Sequence, residues 1–556
     1  MGRRNVLNKL PNEFCKRLVA YLPNQSLSAL CIVSKAAYKF FSPNLYSRKP
    51  TVPQTTKFLR TLANPKRVGF GEHPATHIRH LDLAISVLAD YTSSPDQQKK
   101  REEQIQQYSK LVITAIDNTA RVSAGRSKLQ AISWTSNVAL EELGPLLINS
   151  SRFPNLKAVK VCSISSYGKN SKRANFQFLA IPKLQKIEYE EDRGDGDEQT
   201  LAAFCSSLKT ISATSPQLHT LKLKFDYSAL GYRPRKSVIP LMNQLRFANL
   251  KVFSFEMLQE SGDKEDLCPF LNAHASLEDI SLDIGKSLIS TALPNLRCFR
   301  GRARDCLTIC DGKRPIHTLT VLIDKPLSDP IEVASAFGRR AKDATSKADI
   351  LKSLTATRTM RRLFFVTHLR HFDTDDYIEQ RAFSVEAIAD VAKACPLLTH
   401  LALQIDHFTL ASTRSAPVYS IGANFAKLSC LEWLRLDIWE GEVQPEGGAS
   451  RALGSALDGY DSDDYGMDYD DIEFGYSDYV YAAPPEDFFP LSRYSRHVTA
   501  LATRLPKLRM VELVIQGRRE NVLGVDADDM DLEITYPLVI SRINKRVDIH
   551  SLGATR

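Results

Sequence analysis

The chain has 556 residues, 43% of them hydrophobic and 25% charged, with 73 Lys+Arg against 64 Asp+Glu for a net charge of +9. One hydrophobic core stops growing at roughly 250–300 residues, so this length requires several domains or an elongated array, and the near-average composition excludes wholesale disorder. Eleven acids and no Lys or Arg lie between Asp458 and Asp487, which leaves about +20 spread over the remainder; so diffuse a charge favours solubility and acidic partners without marking a nucleic-acid binder.

No run of about 18 apolar residues is present, so no transmembrane helix is expected. Arg3, Arg4, Lys9, Lys16 and Arg17 interrupt the first twenty residues, which therefore hold no continuous signal-peptide core. Val6 stands where a myristoylation signal wants Ser or Thr. Ten scattered cysteines without a CxxC pair read as small core residues in a reducing compartment.

At the N-terminus, Pro11 and Glu13 suit the first turn of a helix whose stripe is Phe14, Leu18 and Leu22. Leu22-Pro23-Asn24 breaks it, and Asn24 or Ser26 can cap a second helix with Leu27, Leu30, Val33 or Ser34, Ala37 and Phe41 on one side, stopped by Ser42-Pro43-Asn44. Two such helices in about 40 residues cannot close a core and need something to dock onto. The residues Leu10-Pro11-x-Glu13, Leu18-x-x-x-Leu22, Leu27-x-x-Leu30-x-x-Val33-Ser34-Lys35 and Leu45-Tyr46-Ser47-Arg48 resemble an F-box of the fungal type. The resemblance covers about residues 6–50. It implies docking onto the Skp-type adaptor of an SCF (cullin–RING) ubiquitin ligase, with Leu10, Pro11, Leu18, Leu22, Leu27, Leu30 and Val33 facing the adaptor or supporting that face. Ala36-Ala37-Tyr38 departs from the family, which often carries Trp there.

From residue 78 onward the pattern apolar-x-x-apolar-x-apolar recurs thirteen times. It starts at Ile78, Leu129, Leu156, Leu184, Leu218, Leu250, Leu277, Leu296, Ile316, Met360, Leu398, Leu431 and Leu508, often after a Pro-containing lead-in such as Phe153-Pro154-Asn155. Each copy reads as a short strand with alternate residues in the core, and helical periodicity follows at Leu201–Ile211, Phe383–Ala394 and Tyr494–Leu505. A strand–helix unit of this kind buries its apolar face only by stacking on its neighbours. The array resembles irregular leucine-rich repeats, whose buried Asn is missing here: Asp226 and Gly285 occupy two such positions.

Asp96–Thr119 reads as one long, initially charged helix, and Gly441–Pro490 as a disordered acidic insert with interleaved tyrosines. Val522–Ile549 adds a final strand or cap. The expected fold class is therefore α/β: an F-box at 1–50, a leucine-rich-repeat-like solenoid at 51–440, the insert at 441–490, and a last repeat with its cap or tail at 491–556.

No catalytic, cofactor or metal constellation is complete. Gly285-Lys286-Ser287 has Ile280 where a phosphate loop needs Gly. In the loop begun by Asp461 and Asp463, Tyr465 and Ile472 replace calcium ligands. His73, His77 and His80 have no further ligand at zinc spacing, nor do His368, His371 and Asp373, nor the pair Cys306 and Cys310. Basic clusters at Arg297, Arg300, Arg302, Arg304, Lys313 and Arg314, and at Arg339, Arg340, Lys342, Lys347, Arg361 and Arg362, are solvated faces or sites for an acidic or phosphorylated peptide. The expectation is a non-catalytic substrate receptor in cytoplasm or nucleus, with partners a Skp-type adaptor, cullin through it, and a protein target. It uses neither membrane nor nucleic acid. The alternative is a non-ligase scaffold binding protein or nucleic acid.

Overall fold

The computed structural model describes residues 17, 19, 21–50, 56–64, 66, 72–85, 95–136, 143–164, 176–192, 198–225, 235–257, 267–282, 292–323, 347–357, 359–367, 385–406, 425–443, 491–519, 531–543 and 546–552. They belong to two compact units, Met1–Asn295 and Leu296–Arg556.

In the first unit, β1 (His80–Ile85), β2 (Ala131–Ser136), β3 (Ala158–Ile164), β4 (Lys186–Asp192), β5 (Thr220–Phe225), β6 (Val252–Met257) and β7 (Asp279–Leu282) pair in chain order, all parallel. In the second, β8 (Cys298–Arg302), β9 (Thr318–Ile323), β10 (Arg362–Thr367), β11 (His400–Asp406), β12 (Trp433–Val443) and β13 (Met510–Arg519) do the same. Then β14 (Asp531–Ile543) and β15 (Arg546–Ser551) turn back antiparallel, so the expected final strand or cap is a two-stranded hairpin. Both units are thus mixed α/β with a parallel-dominated sheet.

Each copy of the apolar pattern forms one of the strands β1 to β13, and its apolar positions face the core. Leu81, Ile132, Val159, Ile187, Leu221, Phe253 and Ile280 are opposite one another in register and at most 2% exposed. In the second unit Phe299, Leu319, Leu363, Leu401, Leu434 and Val511 make the equivalent row. Because side chains alternate across a strand, slipping by one residue would expose the whole row, and so the pattern pins the register. The position before each strand is tied as well: Gln130 and Ala131 donate their N–H groups to the Arg79 carbonyl, and Lys157 and Ala158 to that of Gln130, a step repeated along each unit.

A second lateral tie comes from the lead-ins, where the residue before the first apolar position donates to the previous copy. Asn155 reaches the Ser127 carbonyl at 3.1 Å, Ser276 that of Leu250 at 2.8 Å, Asn295 that of Ala275 at 3.1 Å and Thr359 that of Ile316 at 2.6 Å. These polar side chains satisfy turn carbonyls that would otherwise lose their water on stacking. The expected Asn positions Asp226 and Gly285 lie outside the described residues.

Helices cover the core side between strands. In the first unit they are α3 (Thr56–Ala63), which precedes β1, then α4 (Pro95–Arg121), α5 (Leu143–Ile148), α6 (Glu198–Thr214), α7 (Arg235–Met242) and α8 (Cys268–Asn272). In the second they are α9 (Ala303–Ile309), α10 (Lys347–Ala356), α11 (Val385–Ala394) and α12 (Ser492–Arg504). The long charged helix is present as α4, tied to α3 by Asn118, which donates to the Leu62 carbonyl at 2.6 Å. An aromatic core of Phe176, Phe178, Tyr189 and Phe204, with ring centroids 5.2–6.4 Å apart, fills the space between β4 and α6. Among the described residues no helix is long and apolar enough to cross a membrane.

Arg542 on β14 donates to the carbonyls of Leu508, Ala502 and Leu505 at 2.6–2.9 Å, which caps the C-terminal end of α12 and holds the hairpin against it. Arg542→Met is expected to cost about 1.5 kcal/mol, since released carbonyls at this exposed site regain water. The measurement is a urea midpoint, and an unchanged midpoint would remove the capping role.

Candidate docking surface at the N-terminal helices

Among the described residues, α1 (Asn24–Val33) and α2 (Lys35–Ser47) precede α3, and Arg17, Val19 and Tyr21 before them are also helical. The sequence pattern suggested one helix through this stretch, ended at Ser42-Pro43. Instead Ser34 is extended, with φ −161° and ψ 160°, and its hydroxyl accepts from the Ala37 N–H at 3.1 Å. A serine that caps the following turn competes with helix continuation at its own position. Pro43 lies inside α2, where Asn44 turns its amide back to the Phe40 carbonyl at 3.3 Å.

The pair encloses a small core of Val19, Leu27, Cys31, Ala37 and Phe41, with Leu22, Leu30, Tyr38, Phe40 and Leu45 half-buried around it. Burial raises the Cys31 thiol pKa, so it is a packed, protonated thiol. Arg48 at the end of α2 reaches back to donate to the Val19 and Leu22 carbonyls and to Asn24 Oδ1 at 3.5 Å, closing the pair. Its base rests on α3: the Tyr46 and Phe58 rings are 5.9 Å apart, and burial, with Tyr38 beside it, raises the Tyr46 phenol well above its usual range. The helices are thus anchored on one side.

Six large hydrophobic residues stay exposed among the described ones, and three of them are here: Tyr21 at 87%, Ile32 at 86% and Val33 at 73%. Exposed apolar residues are normal on a surface when scattered singly, and three within thirteen positions of sequence are a local excess. Among the residues proposed from the sequence, Val33 is exposed, Leu22 and Leu30 are half-buried against the small core, and Leu27 is wholly inside it. Leu10, Pro11 and Leu18 lie outside the described residues. Tyr21 and Ile32 were not singled out in the sequence; their signal was being apolar yet off the Leu27–Cys31–Phe41 stripe.

The polar clusters do structural work where they are described. His73 caps a 3-10 turn by accepting from the Ala75 N–H at 3.1 Å, and its Nε2 bonds the Asn64 carbonyl at 2.8 Å. His77 approaches Glu72 at 3.4 Å; burial lowers its pKa, with Glu72 opposing and Lys128 adding to the shift. Burial, then Lys49 and Arg79, lower that of His80. Cys306 and Cys310 are buried thiols, raised by burial, Cys310 to about 12. No group of three or more potential ligands is assembled among the described residues. Arg314 is buried and paired with Asp311 at 3.0 Å, whereas Arg297, Arg300, Arg361 and Arg362 are exposed. The side chains of Arg304 and Lys347 are outside the description, as are Arg339, Arg340, Lys342, His368, His371, Asp373 and Gly285-Lys286-Ser287; of the expected insert Gly441–Pro490, the first three residues instead continue β12 to Val443, and the rest lies outside the described residues. Neither a family model nor a curated protein matches this chain.

Proposed function

We propose that the chain is the substrate-receptor subunit of an SCF-type (cullin–RING) ubiquitin ligase. Its N-terminal helices serve as an F-box that docks a Skp-type adaptor, and its stacked strand–helix units serve as an irregular leucine-rich-repeat-like surface that holds a protein target in cytoplasm or nucleus. The observation that carries the reading is the exposure of Tyr21, Ile32 and Val33 in a stretch whose other apolar residues pack into a small core. Apolar surface of this kind gains roughly 25 cal/mol per Å² when a partner covers it. The receptor supplies proximity, making ubiquitin transfer to the held target nearly unimolecular, and contributes no reacting group of its own.

The test is binding of the full chain to purified Skp-type adaptor. Val33→Ser, at an exposed site that leaves the fold intact, is expected to weaken binding by about 2 kcal/mol, roughly 30-fold. Wild-type chain that fails to bind adaptor at micromolar concentration, or a Val33→Ser chain that binds as wild type does, overturns the reading in favour of a scaffold whose helices serve another partner.

A further inference from the structure

The open face of the second unit has an unequal distribution of chemistry. Alternate positions point away from the core and are in register across the strands, and two of the rows they make carry the contrast. One runs Arg362, His400, Trp433; the other runs Arg300, Thr320, Phe364, Ala402, Arg435 and Glu512. Arg300 on β8 and Arg362 on β10 are exposed. In the middle, the Trp433 ring has Phe364 at 5.8 Å, nearly perpendicular at 71°, and His400 at 5.9 Å. Ala402, although on this face, is only 3% exposed, because Phe364 and Arg435 on either side close over it. The far end is self-neutralised: Arg435 bonds Asp437 at 2.7 Å and Glu512 at 3.2 Å.

Among the open positions of β8, β9, β10 and β11 whose side chains are described none is an acid, and Asp406 stands at the last open register position of β11, opposite Trp439. Burial lowers the pKa of His317, with Arg297 and then Arg362 adding to the shift, and that of His400, with Arg362 adding and Glu432 opposing. From β8 to β12 is four strand spacings, about 19 Å, the span of about six extended residues. Guanidinium forks at one end and aromatic platforms beside them suit carboxylates followed by a flat or apolar side chain.

We infer that this face binds a short acidic segment of a target protein, with carboxylates on Arg300 and Arg362 and an aromatic or aliphatic side chain laid on Trp433 and Phe364. A nucleic-acid backbone fits less well, because its regular phosphates would run from the arginines onto Asp437 and Glu512. The inference deepens the function proposed above by naming the substrate class, and rests on it only in calling the partner a ligase target.

The experiment measures binding of full-length chain to a fluorescent hexapeptide, Glu-Asp-Tyr-Asp-Glu-Tyr, and to a single-stranded oligonucleotide as competitor. Wild type should bind the peptide, and Arg300→Gln with Arg362→Gln should weaken it at least tenfold, while adaptor binding stays unchanged. Trp433→Leu, judged on protein whose melting is unaltered, should weaken peptide binding severalfold. No peptide binding below about 1 mM, near −4 kcal/mol, or equal binding by the double arginine variant, overturns the inference. So does an oligonucleotide that binds more tightly than the peptide, with the same arginine dependence and a steep fall with salt, which assigns the face to nucleic acid. Peptide binding without adaptor binding would overturn the ligase reading alone.

Discussion

Phe253→Ala is expected to lower the stability of the first unit by about 4 kcal/mol. Phe253 is wholly buried on β6, in register between Leu221 and Ile280, with the Phe270 ring of α8 at 4.6 Å and that of Phe255 at 6.4 Å. Truncation removes the transfer energy of a ring, leaves a cavity that flanking strands held by the backbone ladder cannot collapse into, and breaks aromatic pairs worth about 0.5–1.5 kcal/mol each. Ser254→Ala, one residue on but on the half-buried open face, should stay within about 0.5 kcal/mol. Urea titration followed by circular dichroism compares the two. A cost below about 1 kcal/mol for Phe253→Ala would mean that the row of apolar residues is not the core.

The second large effect concerns His274, 2% exposed at the end of α8. Its Nδ1–H donates to the Phe270 carbonyl at 2.6 Å, and its Nε2 accepts from the Phe247 N–H at 3.0 Å. A carbonyl can only accept and an N–H only donate, so the ring is held as one neutral tautomer. Burial lowers its pKa below 6.5, the Phe270 bond opposing and Arg246 adding to the shift. The folded state therefore binds fewer protons than the unfolded one. Stability is full above pH 6.5 and declines as pH falls from there toward the folded-state pKa. His274→Ala should cost about 3 kcal/mol at pH 7.5, because the Phe247 N–H is left buried without an acceptor and the ring's space is emptied. It should also flatten the decline between about pH 6.5 and 5. His77, His80, His317, His400 and His497, whose pKa values burial also lowers, keep part of that decline in the variant. A wild-type urea midpoint that stays constant down to pH 5 would contradict the assignment.

What was readable from the sequence differs between elements for physical reasons. The strands were legible because a period-2 pattern with a Pro lead-in has only one way to bury all its apolar positions. Helices α6, α11 and α12 contain the periodic stretches Leu201–Ile211 and Phe383–Ala394 (from Val385) and most of Tyr494–Leu505. The break at Ser34 was not legible, since Val33-Ser34-Lys35 preserves apolar periodicity on both sides and only the hydroxyl's bond to Ala37 reveals the new helix start. The lead-in ties of Asn155, Ser276, Asn295 and Thr359 were equally hidden: each residue is ordinary in a turn, and its acceptor lies 20 to 43 positions back.

The same division applies to the two surfaces. Leucine spacing marked the N-terminal helices as an incomplete core but could not separate Leu27, inside, from Val33, outside, because the bend at Ser34 and the Arg48 clasp set which stripe turns inward. Arg362 and Trp433, 71 positions apart, carry no mutual signal until the parallel register through His400 sets them in one row. Local chemistry along the chain was enough to dictate the strands and their core-facing residues. Only stacking decided which charged and aromatic residues become neighbours, since a repeat's open face is unconstrained by burial and acquires its pattern from the copies on either side.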